Sequence, residues 1–138
     1  MSEEKSKKVS MVVAEGSFDK AMMPMIVGTT AAAMGMEVHI FFTFFGLKLL
    51  TKKAKPKLPG IMRPFTGMLI GKMKKLKIPN FDEMKKQALD MGVHMYACST
   101  SMTMMNVKKE DLIDGVEILG AASFLDIAAD SEVQLFVG

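Results

Sequence analysis

The stretch Val93-His94-Met95-Tyr96-Ala97-Cys98-Ser99-Thr100-Ser101-Met102 decides the fold. An apolar run from Val93 to Ala97 stops at Cys98, the only cysteine of the chain. Ser99, Thr100 and Ser101 follow, then a Met-rich segment. This is the pattern of a strand that ends at a thiol and hands over to a helix. Ser99, Thr100 and Ser101 each suit a helix N-cap. A thiol at that place faces free helix amides, and those amides with the positive end of the helix dipole favour the thiolate, the reactive form. The same residue also reads as an inert, buried small hydrophobe, because free cysteine is among the most buried residue types.

Working outward, Val9 to Ala14 reads as the first strand and Glu15-Gly16-Ser17 as the turn after it. Ser17 is placed to cap a helix from Phe18 to about Met34, which Pro24 should bend and Gly35 should end. Met36 to Phe45, dense in Val, Ile and Phe, reads as a second strand buried on both faces and closed by Gly46. A short helical piece over Leu47 to Lys53 should follow. Phe81 to Met91 is a helix with Asp82 and Glu83 in its first turn, stopped by Gly92. After the third strand and the Ser99 to Val107 helix come a polar segment from Lys108, a strand over Val116 to Leu119, a helix over Gly120 to Ala129 and a strand over Val133 to Val137. Alternating strands and helices give parallel βαβ units with right-handed crossovers, hence one three-layer α/β/α domain over residues 1–138. Sites in such sheets gather at the carboxyl ends of the strands. Gly16, Ser17, Gly46 and Met102 form the candidate rim there. The position of Cys98 at the same edge favours the reactive reading.

A thiol hydrolase needs a base beside its nucleophile. The chain has two histidines. His94 lies four residues before Cys98 on one strand, roughly 13 Å away at about 3.3 Å per residue. His39 lies midway along the second strand. Both read as core or edge histidines, so a Cys-His pair is disfavoured. A nucleotide site lacks its motif, since Gly16 stands without the spaced glycines of a dinucleotide fingerprint or a P-loop lysine. The soft donors Cys98, Met102, Met104 and Met105 suggest copper, but sixteen methionines make such a cluster easy to obtain by chance. No metal and no cofactor is expected.

One cysteine excludes an intrachain disulfide, which points to a reducing, cytoplasmic compartment. Met1 to Lys8 is charged and lacks the apolar core of a signal peptide. The longest apolar candidate for a span, Ala31 to Leu50, is interrupted by Glu37, His39 and Lys48. Charge is uneven. Lys48 to Lys77 holds ten of the eighteen Lys and Arg residues and no acid; the remainder has eight basic against fifteen acidic residues. That basic stretch sits in a Pro- and Gly-containing insertion, about residues 47–79, long for a connection inside a compact domain. Within it, Phe65 to Met73 suits a short amphipathic helix. Basic residues interleaved with Leu58, Ile61, Phe65, Met68 and Ile70 suit docking on an anionic membrane surface or an acidic partner, as well as a plain solvated loop. Nucleic acid is not expected from a net charge of +3 and no recognised module.

The run Tyr96-Ala97-Cys98-Ser99-Thr100-Ser101-Met102 resembles the DsrE/DsrF-like sulfur-transfer family, in its branch with a long insertion after the second strand. Val9 to Ala14 with Gly16-Ser17, Phe41-Phe42-Thr43-Phe44-Phe45-Gly46 and Gly120-Ala121-Ala122-Ser123-Phe124 fit the same resemblance. It implies a five-stranded parallel sheet ordered 4-3-2-1-5 and a homo-oligomer. It implies that Cys98 carries sulfur as a persulfide, supported by Ser99, Thr100 and Ser101. A rhodanese-like donor and a TusA-like carrier would be its partners. The competing expectation is a non-catalytic oligomeric adaptor that works through the basic insertion.

Overall fold

The computed structural model describes residues 7–138, so most of the charged Met1 to Lys8 stretch lies outside the described residues. Five strands form one sheet: β1 (Lys8–Val13), β2 (Glu37–Phe42), β3 (His94–Cys98), β4 (Val116–Leu119) and β5 (Val133–Val137). All pairings are parallel and the order is β4-β3-β2-β1-β5, the order the resemblance implies. The helices are α1 (Phe18–Ala33), α2 (Thr66–Lys75), α3 (Phe81–Asp90), α4 (Ser99–Met104) and α5 (Ala121–Ala129).

Strand alternation divides the core in two. Val9, Met11 and Val13 of β1, Val38, Ile40 and Phe42 of β2, and Met95 and Ala97 of β3 pack with Ala21 and Met25 of α1 and Met84 and Ala88 of α3. Phe41, Tyr96 and Cys98 point to the other face, where Phe124 of α5 covers them. The step from β4 back to β5 crosses that face, and α5 is the helix that makes it. Helix α1 continues through the buried Pro24, at the loss of one backbone hydrogen bond. Helix α3 starts on a capping box: Glu83 N donates to Asn80 Oδ1 at 2.8 Å and Asn80 N to Glu83 Oε1 at 3.4 Å. Such a cap contributes about 1 kcal/mol.

The second strand is shorter than its composition suggests. It ends at Phe42, and Phe44 to Leu50 form a 3-10 turn instead. The cause is the backbone. Phe44 takes φ +47°, which breaks the extended run, and Thr43 N donates to Val13 O at 3.0 Å, folding the chain over the end of β1. Gly46 therefore lies inside the turn. A Cβ there would strike the Val13 carbonyl oxygen.

The insertion also begins later than expected. Leu47, Leu49 and Leu50 are core residues. They are tied down by Lys85, whose buried ammonium donates to Leu49 O at 2.9 Å, and by Ile113 N donating to Leu50 O at 2.9 Å. Beyond Lys52 the segment is held at a few points. Phe18 N donates to Lys57 O at 2.8 Å, and the buried Thr66 hydroxyl accepts from Leu58 N at 2.9 Å. Helix α2 is otherwise exposed or half-buried. No helix among the described residues is long and apolar enough to cross a membrane.

Candidate functional site

Cys98 is both the last residue of β3 and the N-cap of α4. The thiol thus occupies the capping position itself, although its side chain makes no capping hydrogen bond to α4. Ser101 is almost fully buried and reaches across to the turn after β2. Its Oγ accepts from Phe44 N at 3.1 Å and lies 2.8 Å from Thr43 Oγ1. Burial pushes the Cys98 thiol up, as for any group whose charged form loses water. The nearby polar groups, the Ser101 hydroxyl and amide, the Thr43 hydroxyl and the Thr100 amide, pull it down by favouring the anion, and the balance falls below the ordinary thiol value. The chemistry of Ser101 explains its weight. Phe44 N–H fills one of its acceptor sites, and its own proton is free to point at sulfur. With six residues, α4 has little macrodipole of its own, so the direct donors carry the effect.

Thr43 is the supporting residue that the sequence did not disclose. Nothing in the Phe-rich run marks it, and it reaches the thiol because two glycines let backbones press together. A Cβ on Gly16 would come within 2.7 Å of Phe45 O, and Gly46 has no room against Val13. These two glycines pin the turn that presents Thr43, rather than lining an open mouth.

The other expected residues divide. Thr100 contributes its amide, not its hydroxyl. Ser99 is not among the groups that shift the thiol; its carbonyl accepts from Thr103 Oγ1 at 3.3 Å. Ser17 donates to Asp19 Oδ1 at 2.8 Å and does not cap α1. Met102 is buried in the cluster on the opposite face of the sheet from Cys98, so it is neither rim nor a soft ligand beside the thiol. One helix turn separates them in sequence, but α4 turns Met102 back under the sheet.

Cys98 is 5 % exposed. Phe41, Tyr96 and Phe124 pack in its cluster, with Leu119 against them. The thiol is activated but covered. Phe44 and Phe45, exposed on the adjoining turn, are the apolar surface nearest in sequence to Thr43.

At the other end of β3, His94 stands opposite His39 in the β2–β3 register. His39 is buried, with Nδ1 2.7 Å from the Tyr96 hydroxyl. Neither imidazole is among the groups that shift Cys98.

The insertion forms a groove of about 1180 Å³ between Ala54–Lys57, α2 and the start of α3. Its walls include Ile61, Ile70, Met73 and Ile78, and its basic members are Lys55, Lys57, Arg63 and Lys74. Ile61 is 90 % exposed.

Comparison with known proteins agrees with this architecture. The sequence matches the DsrE/DsrF/DrsH-like family over residues 5–77 and again over 60–136. It is 33% identical to the sulfur carrier protein DsrE2 of Allochromatium vinosum, over 95% of this chain and 98% of that protein. Among solved structures, it is similar to the protein of unknown function MTH1491 from Methanobacterium thermoautotrophicum, with a TM-score of 0.69 at 12% identity over 95% of this chain and 99% of that one. The ychN protein from E. coli gives 0.65 at 16% identity, over 94% and 98%.

Proposed function

Because the chain belongs to the DsrE/DsrF/DrsH-like family, we propose that it is a sulfur carrier that accepts sulfane sulfur on Cys98 and passes it to a partner thiol. The observation that supports this most is that the polar groups of Ser101, Thr43 and Thr100 hold the chain's only thiol below its ordinary range. They favour the thiolate without a histidine. The name of the A. vinosum relative points the same way.

The step balances simply. The Cys98 thiolate attacks the outer sulfur of a donor persulfide. A bond forms between Sγ and that sulfur, the donor S–S bond breaks, and the donor leaves as a thiolate. Delivery repeats the exchange with the acceptor thiolate attacking the outer sulfur on Cys98. With one cysteine among its 138 residues, the chain cannot resolve the persulfide as an internal disulfide. Donor and acceptor are therefore other molecules, a rhodanese-like protein and a TusA-like carrier in this reading. The protein works in the cytoplasm as a homo-oligomer. The basic, apolar insertion is its docking surface for an acidic partner or an anionic membrane.

The 5 % exposure of Cys98 favours a second reading, an adaptor in which the thiol is packing and the insertion does the work. Under the carrier reading the start of α5, whose Phe124 packs with the thiol, moves when a donor docks. The test is transfer itself. The native protein is treated with a sulfane-sulfur donor, freed of it, and offered a thiol acceptor. Sulfur appearing on the acceptor from wild type and not from Cys98→Ser supports the carrier. Equal delivery by both proteins, or none, leaves the adaptor.

A further inference from the structure

The amino edge of the sheet holds a second cluster that sulfur chemistry does not use. Glu37 and His39 are two apart on β2 and so share a face. The parallel register sets His94 beside His39. One ligand atom from each of Glu37, His39 and His94 lies within 4.8 Å of the others. His39 is the fixed member. It is 6 % exposed, and its Nε2 is buried with no hydrogen-bond partner among the described residues. That atom is 3.5 Å from Glu37 Oε2. Its other nitrogen, Nδ1, lies 2.7 Å from the Tyr96 hydroxyl. A buried imidazole nitrogen left without a partner is costly, and its position calls for a group the protein does not supply.

We propose that Glu37, His39 and His94 bind a divalent transition-metal ion, zinc in the first instance. Two imidazoles and a carboxylate are donors that zinc takes, and three protein ligands leave a position open to solvent. Tyr96 plays the outer part that such sites need. When Nδ1–H of His39 donates to the Tyr96 oxygen, the lone pair of Nε2 faces the metal and the ring is held in orientation.

The metal-free arrangement is looser than the bound one. Zinc–nitrogen bonds of about 2.0–2.1 Å at tetrahedral angles set donor separations of roughly 3.3 Å. The His39 and His94 rings are stacked, with centroids 4.6 Å apart and planes at 9°. His94 must turn out of the stack, which it can do because it is exposed, as is Glu37. Lys8 Nζ, 3.8 Å from Glu37 Oε2, is the cation that the metal displaces. Cys98 is at the opposite end of β3 and is not a ligand. The site stands or falls independently of the sulfur reading.

The experiment is calorimetric titration of the Cys98→Ser protein with zinc, which removes the thiol as a rival ligand. One zinc per chain is expected, and cobalt in its place should give the visible bands of a tetrahedral site without thiolate charge transfer. Adding His94→Ala or Glu37→Gln should weaken binding about tenfold or more, and Tyr96→Phe should weaken it about 10–100-fold as loss of an outer-shell partner. These positions keep the test valid if His39→Ala fails to fold. No zinc binding by the folded Cys98→Ser protein, or binding unchanged by both His94→Ala and Glu37→Gln, overturns the proposal.

Discussion

The two ends of strand β3 invite comparison, because they carry polar clusters of opposite construction on one face of one sheet. At the carboxyl end, Cys98 is served by residues from the turn after β2 and from α4. At the amino end, Glu37, His39 and His94 come from strands alone and are brought together by parity and register. The first cluster meets its hydrogen-bonding needs internally, with Ser101 bonded to both Thr43 and Phe44. The second leaves His39 Nε2 open. The lesson is that loops can be shaped around a reacting group, whereas strand side chains can only be aligned, and an aligned set is completed by something from outside.

The comparison breaks most sharply at Cys98. Cys98→Ser should remove sulfur loading entirely while leaving the fold intact, because the change is nearly isosteric. Loading followed by mass spectrometry and far-UV circular dichroism checks both halves. The next largest effect is expected in the turn that presents Thr43. Gly46→Ala drives a methyl into the Val13 carbonyl and should destabilise by about 1–3 kcal/mol, as overpacking does, measured by urea denaturation. A stability within about 0.5 kcal/mol of wild type would show that the turn is free to shift and that Thr43 is not held by it.

Ser101→Ala sharpens the comparison further. It leaves the Phe44 amide without its acceptor, a loss worth about 1–3 kcal/mol if that group stays buried. It should also raise the thiol pKa, because it deletes the strongest of the groups that lower it. The sign for stability follows from the direction. A thiol pKa lower in the folded chain than in the unfolded one means the unfolded chain binds more protons between the two values. Stability should therefore rise with pH across that window, be fully present above the unfolded value of about 8.5, and be lost as pH falls through the folded one. The smallest effect on the sheet belongs to the insertion. Lys72, Lys74 and Lys75 changed together to Glu lie on an exposed helix end and should alter stability by no more than about 0.5 kcal/mol per site. Binding to anionic vesicles or to an acidic carrier should drop. Unchanged binding of both would remove the docking role of α2.

Much of this architecture was legible in the residues. Val116–Leu119 and Val133–Val137 read directly as strands, and the apolar run ending at Cys98 marked the central strand and its thiol. What was hidden shares one cause, which is contact between segments distant in sequence. Thr43 is 58 residues from Ser101 and looks like one more member of a strand. Leu47 to Leu50 look like the start of a surface insertion, yet Lys85 and Ile113 bind them into the core. Met102 shares a helical face pattern with Cys98, but the strand places the thiol on the other side of the sheet. His39 and His94 each read as a solitary ring, and only the register of β2 on β3 makes them neighbours.

The central claim is that the carboxyl edge alone activates Cys98. The most direct test is the pH dependence of alkylation rate on the native protein, for wild type, His94→Ala and Ser101→Ala. A midpoint below the free-thiol value of about 8.5, unmoved by His94→Ala and raised by Ser101→Ala, is the result expected. A midpoint at or above that value, or alkylation that occurs only after denaturation, would contradict it.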